Sequence, residues 1–241
     1  MAFSDELRNI MAGAKRDAPA PQPEPEAMRK EATRAAIWLA RHGHDDRERH
    51  GERLAWYLAC YRLGHGAADK GICLSGPCGT GKTVALRLLA RWVGAHYMTA
   101  TQAVESYRAD AEGWPEIVTP RLPSMWDGVN VWPDLAIDDL GAEPTAASYG
   151  QRSEALATLV DMRETYYRQH GARLHIATNL VQAEIATRYG DRTLSRLLGL
   201  CHWREWAGAD GRQATTAAKT GTDKGMTNET RHSGANAGEA R

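Results

Sequence analysis

A glycine-rich octapeptide, GPCGTGKT at positions 76–83, constrains the fold more than any other part of this sequence. It directly follows the apolar run at 71–75, which has the length and composition of a buried strand. Glycines in such a turn leave backbone N–H groups pointing inward, and a following helix adds the positive end of its dipole. The spacing G-x-x-x-x-G-K-T therefore predicts a phosphate-binding loop between a strand and a helix.

Two side chains at the end of the octapeptide have the chemistry that a bound nucleotide requires. Lys82 is placed where an ammonium group reaches the outer phosphates, and Thr83 where a hydroxyl ligates Mg²⁺. The predicted nucleotide-binding residues of this loop are Gly76, Pro77, Cys78, Gly79, Thr80, Gly81, Lys82 and Thr83.

The composition limits what else the chain can be. In its 241 residues, 30 Lys and Arg balance 30 Asp and Glu, so any DNA contact must be a local patch. The four scattered cysteines form no C-x-x-C pair, which favours reduced thiols. Because no run approaches the roughly 20 apolar residues of a membrane span, we expect a soluble, cytoplasmic protein without membrane association.

Strand and helix patterns alternate through the body of the chain. This alternation favours an α/β fold, a parallel sheet flanked by helices as in P-loop NTPases. The expected strands span residues 72–75, 97–100, 133–139, 174–178 and 200–206. The expected helices span 28–41, 52–63, 82–95, 101–111, 151–170 and 180–198, the last with a break near Gly190.

Composition divides the chain into four parts. Residues 1–27 hold a short tip and the segment APAPQPEPE, whose alternate prolines predict a flexible, extended spacer. Residues 28–66 form a helical region that serves as a partner-binding arm or packs on the core. The core spans 67–212 and contains an irregular, Trp-rich insert at 113–132. Residues 213–241 are poor in apolar side chains and are expected to be a disordered tail.

Polar side chains follow two further predicted strands. Asp138 and Asp139 end the run LAIDD, where a P-loop enzyme needs one acid for Mg²⁺ and a second to orient the attacking water. Asn179 follows the run HIAT and would place an amide near the outermost phosphate, if its strand lies between the other two. Carboxyl ends of parallel strands share one ligand-binding edge, so these side chains are expected to meet the loop there.

Arginines recur every four residues in the segment RYGDRTLSR. If the segment is one helix, Arg188, Arg192 and Arg196 stack on one face as a basic ridge. Such a ridge either pairs with surface acids or faces the nucleotide of a neighbouring subunit, where an arginine stabilises the charge of phosphoryl transfer.

Together these residues resemble the AAA+ ATPases of the DnaC-like helicase loader group and the related IstB-like transposition ATPases. The resemblance covers residues 71 to 212 and rests on four runs: GICLSGPCGTGKT, DLAIDDLGAE, IATNL and YGDRTLSRL. It implies ATP and Mg²⁺ as cofactors and a homo-oligomer. The implied catalytic residues are Lys82, Asp138, Asp139, Asn179, Arg196 and, second to it, Arg192.

The implied metal ligands are Thr83 and Asp138, and Arg212 corresponds to a sensor-2-like arginine that contacts the nucleotide. Two features depart from the family pattern. Many AAA+ proteins have Glu at the position of Asp139. The aspartate side chain is shorter, which predicts slow, partner-stimulated hydrolysis. Only a polar tail follows the last expected strand, so we expect the core to lack a full helical lid.

The resemblance implies an ATP-dependent DNA replication accessory protein, a helicase loader that binds a replicative helicase and single-stranded DNA. The first alternative is a transposition accessory ATPase that binds duplex DNA and a transposase. The second is a nucleotide-binding regulator with little turnover. For DNA contact the insert offers Trp114, Trp126 and Trp132, with Arg108 and Arg121 nearby, although tryptophans there are expected more often to fold inward over the sheet.

Overall fold

The computed structural model describes residues 23–44, 50–123, 130–143 and 149–208. Within these ranges no helix is both long and apolar enough to cross a bilayer. The predicted flexible tip, residue Trp126, the sensor-2-like Arg212 and the tail at 213–241 lie outside the described residues.

A five-stranded parallel sheet forms the centre of the protein and confirms the predicted α/β class. The sheet strands are β1 (Gly71–Ser75), β2 (His96–Thr99), β5 (Leu135–Leu140), β6 (Leu174–Thr178) and β7 (Cys201–Glu205). Their order is β2-β5-β6-β1-β7, so β6 lies between the strand before the glycine-rich loop and the strand of the two aspartates. That placement is the one predicted for the strand of Asn179.

Helices cover the sheet as predicted, with ends that differ by a few residues. Gly190, at φ 88°, ends one helix and precedes the next, which confirms the predicted break. The helices are α1 (Pro25–Arg41), α2 (His50–Arg62), α3 (Lys82–Val93), α4 (Ala100–Ala109), α5 (Trp114–Val118), α6 (Tyr149–His170), α7 (Gln182–Tyr189) and α8 (Asp191–Leu200).

The first helix begins inside the segment predicted to be an extended spacer. Pro25 opens α1, and Glu24 holds the N-cap position. Proline fits a first helical turn because its missing N–H would have no intrahelical acceptor there and its φ is already helical. The spacer prediction was therefore wrong for its last two residues.

Helices α1 and α2 are part of the protein core. Leu39, Leu54 and Leu58 are almost fully buried in one cluster with Leu86 and Leu89 of α3. Polar contacts add to this packing at the amino end of the sheet. The hydroxyl of Tyr61 donates to the buried carboxylate of Asp134 at 2.9 Å, and Asp134 also lies 3.7 Å from the guanidinium of Arg173.

The insert at 113–132 has more regular structure than its sequence predicted. It contains α5 and a two-stranded antiparallel ribbon of β3 (Leu122–Pro123) and β4 (Asn130–Val131). Trp114 is 1% exposed, and its indole N–H donates to the Ala103 carbonyl at 2.8 Å. Trp114 therefore folds inward, as the burial argument expected, and is not available to stack on a base.

Candidate nucleotide-binding site

The glycine-rich loop has the backbone geometry of an anion cradle. Gly79 and Gly81 adopt left-handed conformations, at φ 77° and φ 87°, and Gly81 is the N-cap of α3. Glycine adopts this conformation without the steric cost of a Cβ. Where right-handed and left-handed backbone conformations follow one another, successive N–H groups point to the same side. The loop thus directs peptide dipoles and the helix amino end into one concavity.

Lys82 holds its ammonium group inside the loop. The side chain is buried, and Nζ donates to the carbonyl of Gly76 at 2.8 Å and to that of Pro77 at 2.5 Å. The hydroxyl of Thr80 lies 3.5 Å from the same nitrogen. A positive charge therefore sits beside the N–H groups of the cradle, as a phosphate-binding lysine requires.

Thr83 and Asp138 meet across the gap between α3 and β5. The Thr83 hydroxyl donates to Asp138 Oδ1 at 3.3 Å, and Asp138 is 1% exposed. The backbone N–H of Asp139 donates to the same oxygen at 3.0 Å. The residues expected to hold Mg²⁺ are therefore in direct contact, although 55 positions separate them in the chain.

Tyr97 is a member of the site that sequence reasoning missed. Its hydroxyl donates to Asp138 Oδ2 at 2.5 Å and accepts from Arg87 Nε at 2.9 Å. Burial and the hydrogen bond to Asp138 raise the pKa of Tyr97 to about 12. Tyr97 therefore stays protonated at neutral pH and orients the carboxylate; its position on the adjacent strand β2 gave no motif signal.

Asp139 has an uncommon backbone conformation. Its φ of 54° is the only positive value of a non-glycine residue among those described. The pairing of β5 with β6 shifts register between Ile137 and Leu140, so the strand bulges at the two aspartates. Aspartate tolerates left-handed backbone better than most residues, and the bulge turns Asp139 outward, where it is exposed, while Asp138 stays buried.

Asn179 stands exposed at the carboxyl end of β6, between the two motif strands. Its neighbours fix the backbone. The Thr178 hydroxyl donates to the carbonyl of Leu140 at 2.7 Å, and the Ser75 hydroxyl donates to the carbonyl of Leu180 at 2.8 Å. These bonds tie the ends of β1, β5 and β6 together, which holds the Asn179 amide at the rim of the site.

Trp206 contacts the glycine-rich loop and was also missed by the sequence reasoning. It is 2% exposed, and its indole N–H donates to the carbonyl of Thr80 at 3.0 Å. The ring of His50, the first residue of α2, stacks on Trp206 with centroids 4.1 Å apart. Trp206 therefore links His50 of α2 to the glycine-rich loop.

The three arginines do not form one ridge, because the break at Gly190 separates them. Arg188 belongs to α7 and pairs with the buried Glu143 at 2.8 Å. Glu143 also accepts from the Tyr189 hydroxyl and from the Gly141 N–H. Arg188 thus fastens the segment after the two aspartates to α7.

Arg192 and Arg196 lie on α8 and face α6. Arg196 is 22% exposed and forms ion pairs with Asp161 and, at 2.8 Å, with Glu164. Arg192 is 78% exposed and lies 4.0 Å from Asp161. Arg192 is therefore exposed, whereas Arg196 is half-buried.

The donor set fits a magnesium nucleotide. A hydroxyl and a carboxylate are oxygen ligands of the kind that Mg²⁺ prefers, and Thr83 and Asp138 offer them beside the cradle. Lys82 supplies the charge that the outer phosphates need. No cluster of three or more His, Cys, Asp or Glu residues suited to a metal occurs in the described part of the chain.

Comparison with known proteins gives matches in structure alone. No family model and no curated protein matches the sequence. A DNA replication initiation factor matches over 77% of this chain and 54% of its own chain, with 15% sequence identity and a TM-score of 0.50. A DnaC helicase loader matches over 73% of this chain and 98% of its own chain, with 16% sequence identity and a TM-score of 0.48. AMPPCP-bound DnaA from Aquifex aeolicus matches over 79% of this chain and 56% of its own chain, with 17% sequence identity and a TM-score of 0.47.

At these identities the likeness concerns the fold. The match to the replication initiation factor, together with the five-stranded parallel sheet, confirms the predicted P-loop fold, a parallel sheet flanked by helices. The resemblance to AAA+ proteins that the motifs indicated is supported at that level.

Proposed function

We propose that this protein is an ATP-dependent accessory factor of DNA replication, a helicase loader of the DnaC-like type. The choice of a helicase loader rests on the motif runs that resemble that group. The contact of Thr83 with Asp138 beside the lysine-bearing loop carries the ATP-dependent part of the proposal. It brings together on one sheet edge the three side-chain types that phosphoryl transfer requires, since such enzymes act mainly by positioning and by charge stabilisation.

The proposed roles follow from the positions of the side chains. Lys82 and the loop amides would bind the phosphates of ATP, and Thr83 and Asp138 would hold Mg²⁺, with Tyr97 orienting the carboxylate. The exposed Asp139 would orient the attacking water, and Asn179 would contact the outermost phosphate. A bound Mg²⁺ supplies neutralisation of the charge that develops on the phosphate oxygens.

We further propose that α8 offers an arginine to the nucleotide of a neighbouring subunit. Arg196 is held by two carboxylates of its own chain, whereas Arg192 is exposed, so Arg192 reaches a neighbour without breaking a tight ion pair. We expect Arg192→Ala and Arg196→Ala to lower ATP turnover at least tenfold, because arginines supplied in trans stabilise the transition state. The exposed Arg168 is a matched control, and Arg168→Ala should keep the full rate.

A mixing experiment separates action in trans from a structural effect. A Lys82→Ala subunit lacks a working nucleotide site but keeps its arginines, so mixing it with either arginine variant should restore activity that neither has alone. If activity recovers with just one of the two arginine variants, the residue changed in that variant is the one that acts on the neighbouring subunit. Absence of recovery with both would show that neither arginine serves a neighbouring subunit.

The partner decides between the proposed function and a transposition ATPase. We expect the full-length protein to retain the replicative helicase of its host on an affinity column, more strongly with ATP than without it. The full chain is required because α1 and α2 share a core with α3. Lys82→Ala should remove the ATP effect, and capture of a transposase in place of the helicase would overturn the loader assignment. ATP binding without measurable, partner-stimulated turnover would favour a regulator.

A further inference from the structure

A groove rich in positive charge lies on the outer surface of α1, α2 and the end of α3. We call it the basic groove, and its volume is about 690 Å³. Two tryptophans and a histidine lie between its cations. The cations that define it are Lys30, Arg34, Arg41, Arg62 and Arg91.

The charge of the basic groove is unusual for this chain, whose formal net charge is zero. All five cations are exposed, and none of the described residues that line the groove is acidic. Glu31 lies at its margin, 3.1 Å from Arg62 and 3.8 Å from Arg34, and offsets one of the five charges.

Stabilisation of helix ends accounts for only part of this charge. Arg41, Arg62 and Arg91 lie in the last turns of their helices, where a cation interacts favourably with the helix dipole. Lys30 and Arg34 lie earlier in α1 and line the same groove. Cations from three helices therefore converge on one concavity, which is the pattern of a polyanion site.

Aromatic rings interleave with these cations. Trp38 and Trp92 meet edge to face with centroids 5.0 Å apart, and His42 stacks on Trp38 at 4.2 Å. The guanidinium of Arg91 lies 5.9 Å over the Trp38 ring, and that of Arg62 lies 5.8 Å over Trp92. Indole and guanidinium planes are the surfaces on which unpaired bases stack.

We propose that the basic groove binds single-stranded nucleic acid, with its phosphates on the cations and its bases against the arginine planes and the exposed parts of the two half-buried tryptophans. An acidic protein segment would satisfy the charges but leave the aromatic surface unused, and a duplex keeps its bases stacked inside. The proposal rests on the proposed replication function for the choice of DNA as the strand. It does not depend on ATP hydrolysis.

The groove is joined to the nucleotide site by one rigid element. Helix α3 begins at Lys82 and carries Arg91 and Trp92 in its last turn, about 14 Å further along its axis. Strand binding at one end and nucleotide binding at the other therefore act on the same helix.

The test compares two charge reversals of equal size in the full-length protein. Arg34→Glu with Arg41→Glu changes the groove, whereas Arg29→Glu with Arg204→Glu changes exposed arginines that do not line it. Affinity for a labelled oligothymidylate is measured by fluorescence anisotropy over a range of salt. A duplex of equal length and poly-L-glutamate serve as competitors, and binding of a fluorescent ATP analogue is measured in parallel.

We expect the groove variant to bind the oligothymidylate at least tenfold more weakly and the control variant less than threefold. The slope of log affinity against log salt should become shallower by about 1.4, since each phosphate contact to a single strand contributes about 0.7. The groove variant should bind the ATP analogue as the unchanged protein does.

Equal loss of affinity in both variants, or no loss in the groove variant, would overturn the proposal. If poly-L-glutamate displaces the strand as well as unlabelled oligothymidylate does, the groove is a site for an acidic protein and the proposal is wrong. Absence of ATP binding in the unchanged protein would instead refute the proposed function, and the comparison between the variants would still decide the groove.

Discussion

Asp138→Asn should abolish Mg²⁺-dependent ATP hydrolysis while leaving the protein folded. The buried carboxylate contacts Thr83 and Tyr97 at the edge of the loop, and an amide cannot supply the negative charge that Mg²⁺ requires of this ligand. Loss of a metal-dependent step removes several kcal/mol of transition-state stabilisation, so we expect a rate decrease of about 10³-fold, or about 4 kcal/mol. The measurement is steady-state phosphate release at saturating Mg²⁺, with a thermal melt of each variant.

Tyr97→Phe is the matched control for this variant. In Asp138→Asn one hydrogen bond with Tyr97 is lost or weakened, and Tyr97→Phe removes the same bond but keeps the carboxylate. Each variant should lose about 1 kcal/mol of stability, while Tyr97→Phe should keep turnover within about tenfold of the original rate. If Asp138→Asn hydrolyses ATP at the rate of Tyr97→Phe, Asp138 is not the metal ligand.

Gly71→Ala should destabilise the whole fold. Gly71 begins strand β1, which lies between β6 and β7 in the sheet, and a Cβ added there would lie 1.7 Å from the Leu174 carbonyl oxygen of β6. Backbone of a paired strand cannot move aside as a side chain can, so the strands must separate locally. We expect a loss of about 3 kcal/mol, which in a protein of this size lowers Tm by about 6 to 12 °C. Differential scanning calorimetry measures it directly.

Gly66→Ala provides the comparison for Gly71→Ala. No heavy atom lies within 4 Å of a Cβ built at Gly66, and its φ is not in the left-handed region. Alanine there restricts the unfolded chain and should leave Tm unchanged or raise it slightly. Equal Tm values for the two variants would mean that β1 and β6 are not packed as closely as the structure shows.

Local patterns predicted the parts of the site that are continuous in sequence. The glycine-rich loop, Lys82 and Thr83 lie within one octapeptide, and the aspartates and Asn179 each follow a strand that its apolar run already indicates. The role predicted for Asn179 required its strand to lie between the other two, and the structure shows that it does. The sequence likewise predicted the break at Gly190, because helices commonly end at a glycine, which adopts a positive φ without strain.

The residues that sequence reasoning missed all depend on contacts between distant segments. Tyr97 is 41 positions from Asp138, and Trp206 is 126 positions from Thr80. Neither has a spacing that marks it, since a tyrosine on one strand and a tryptophan after another are ordinary core residues in sequence. Likewise the pairing of Arg188 with Glu143, across 45 positions, takes that arginine out of the predicted ridge.

The sequence by itself determined the class of fold, the phosphate-binding loop and the order of the polar strand ends. These depend on dihedral preferences, hydrophobic period and spacing within a few residues, which are local properties of the chain. Only the tertiary structure decided that Thr83 contacts Asp138, that Trp114 is buried, and that cations of three helices face one groove. Such contacts depend on how the helices pack around the sheet, and packing brings together residues whose separation in the chain carries no signal.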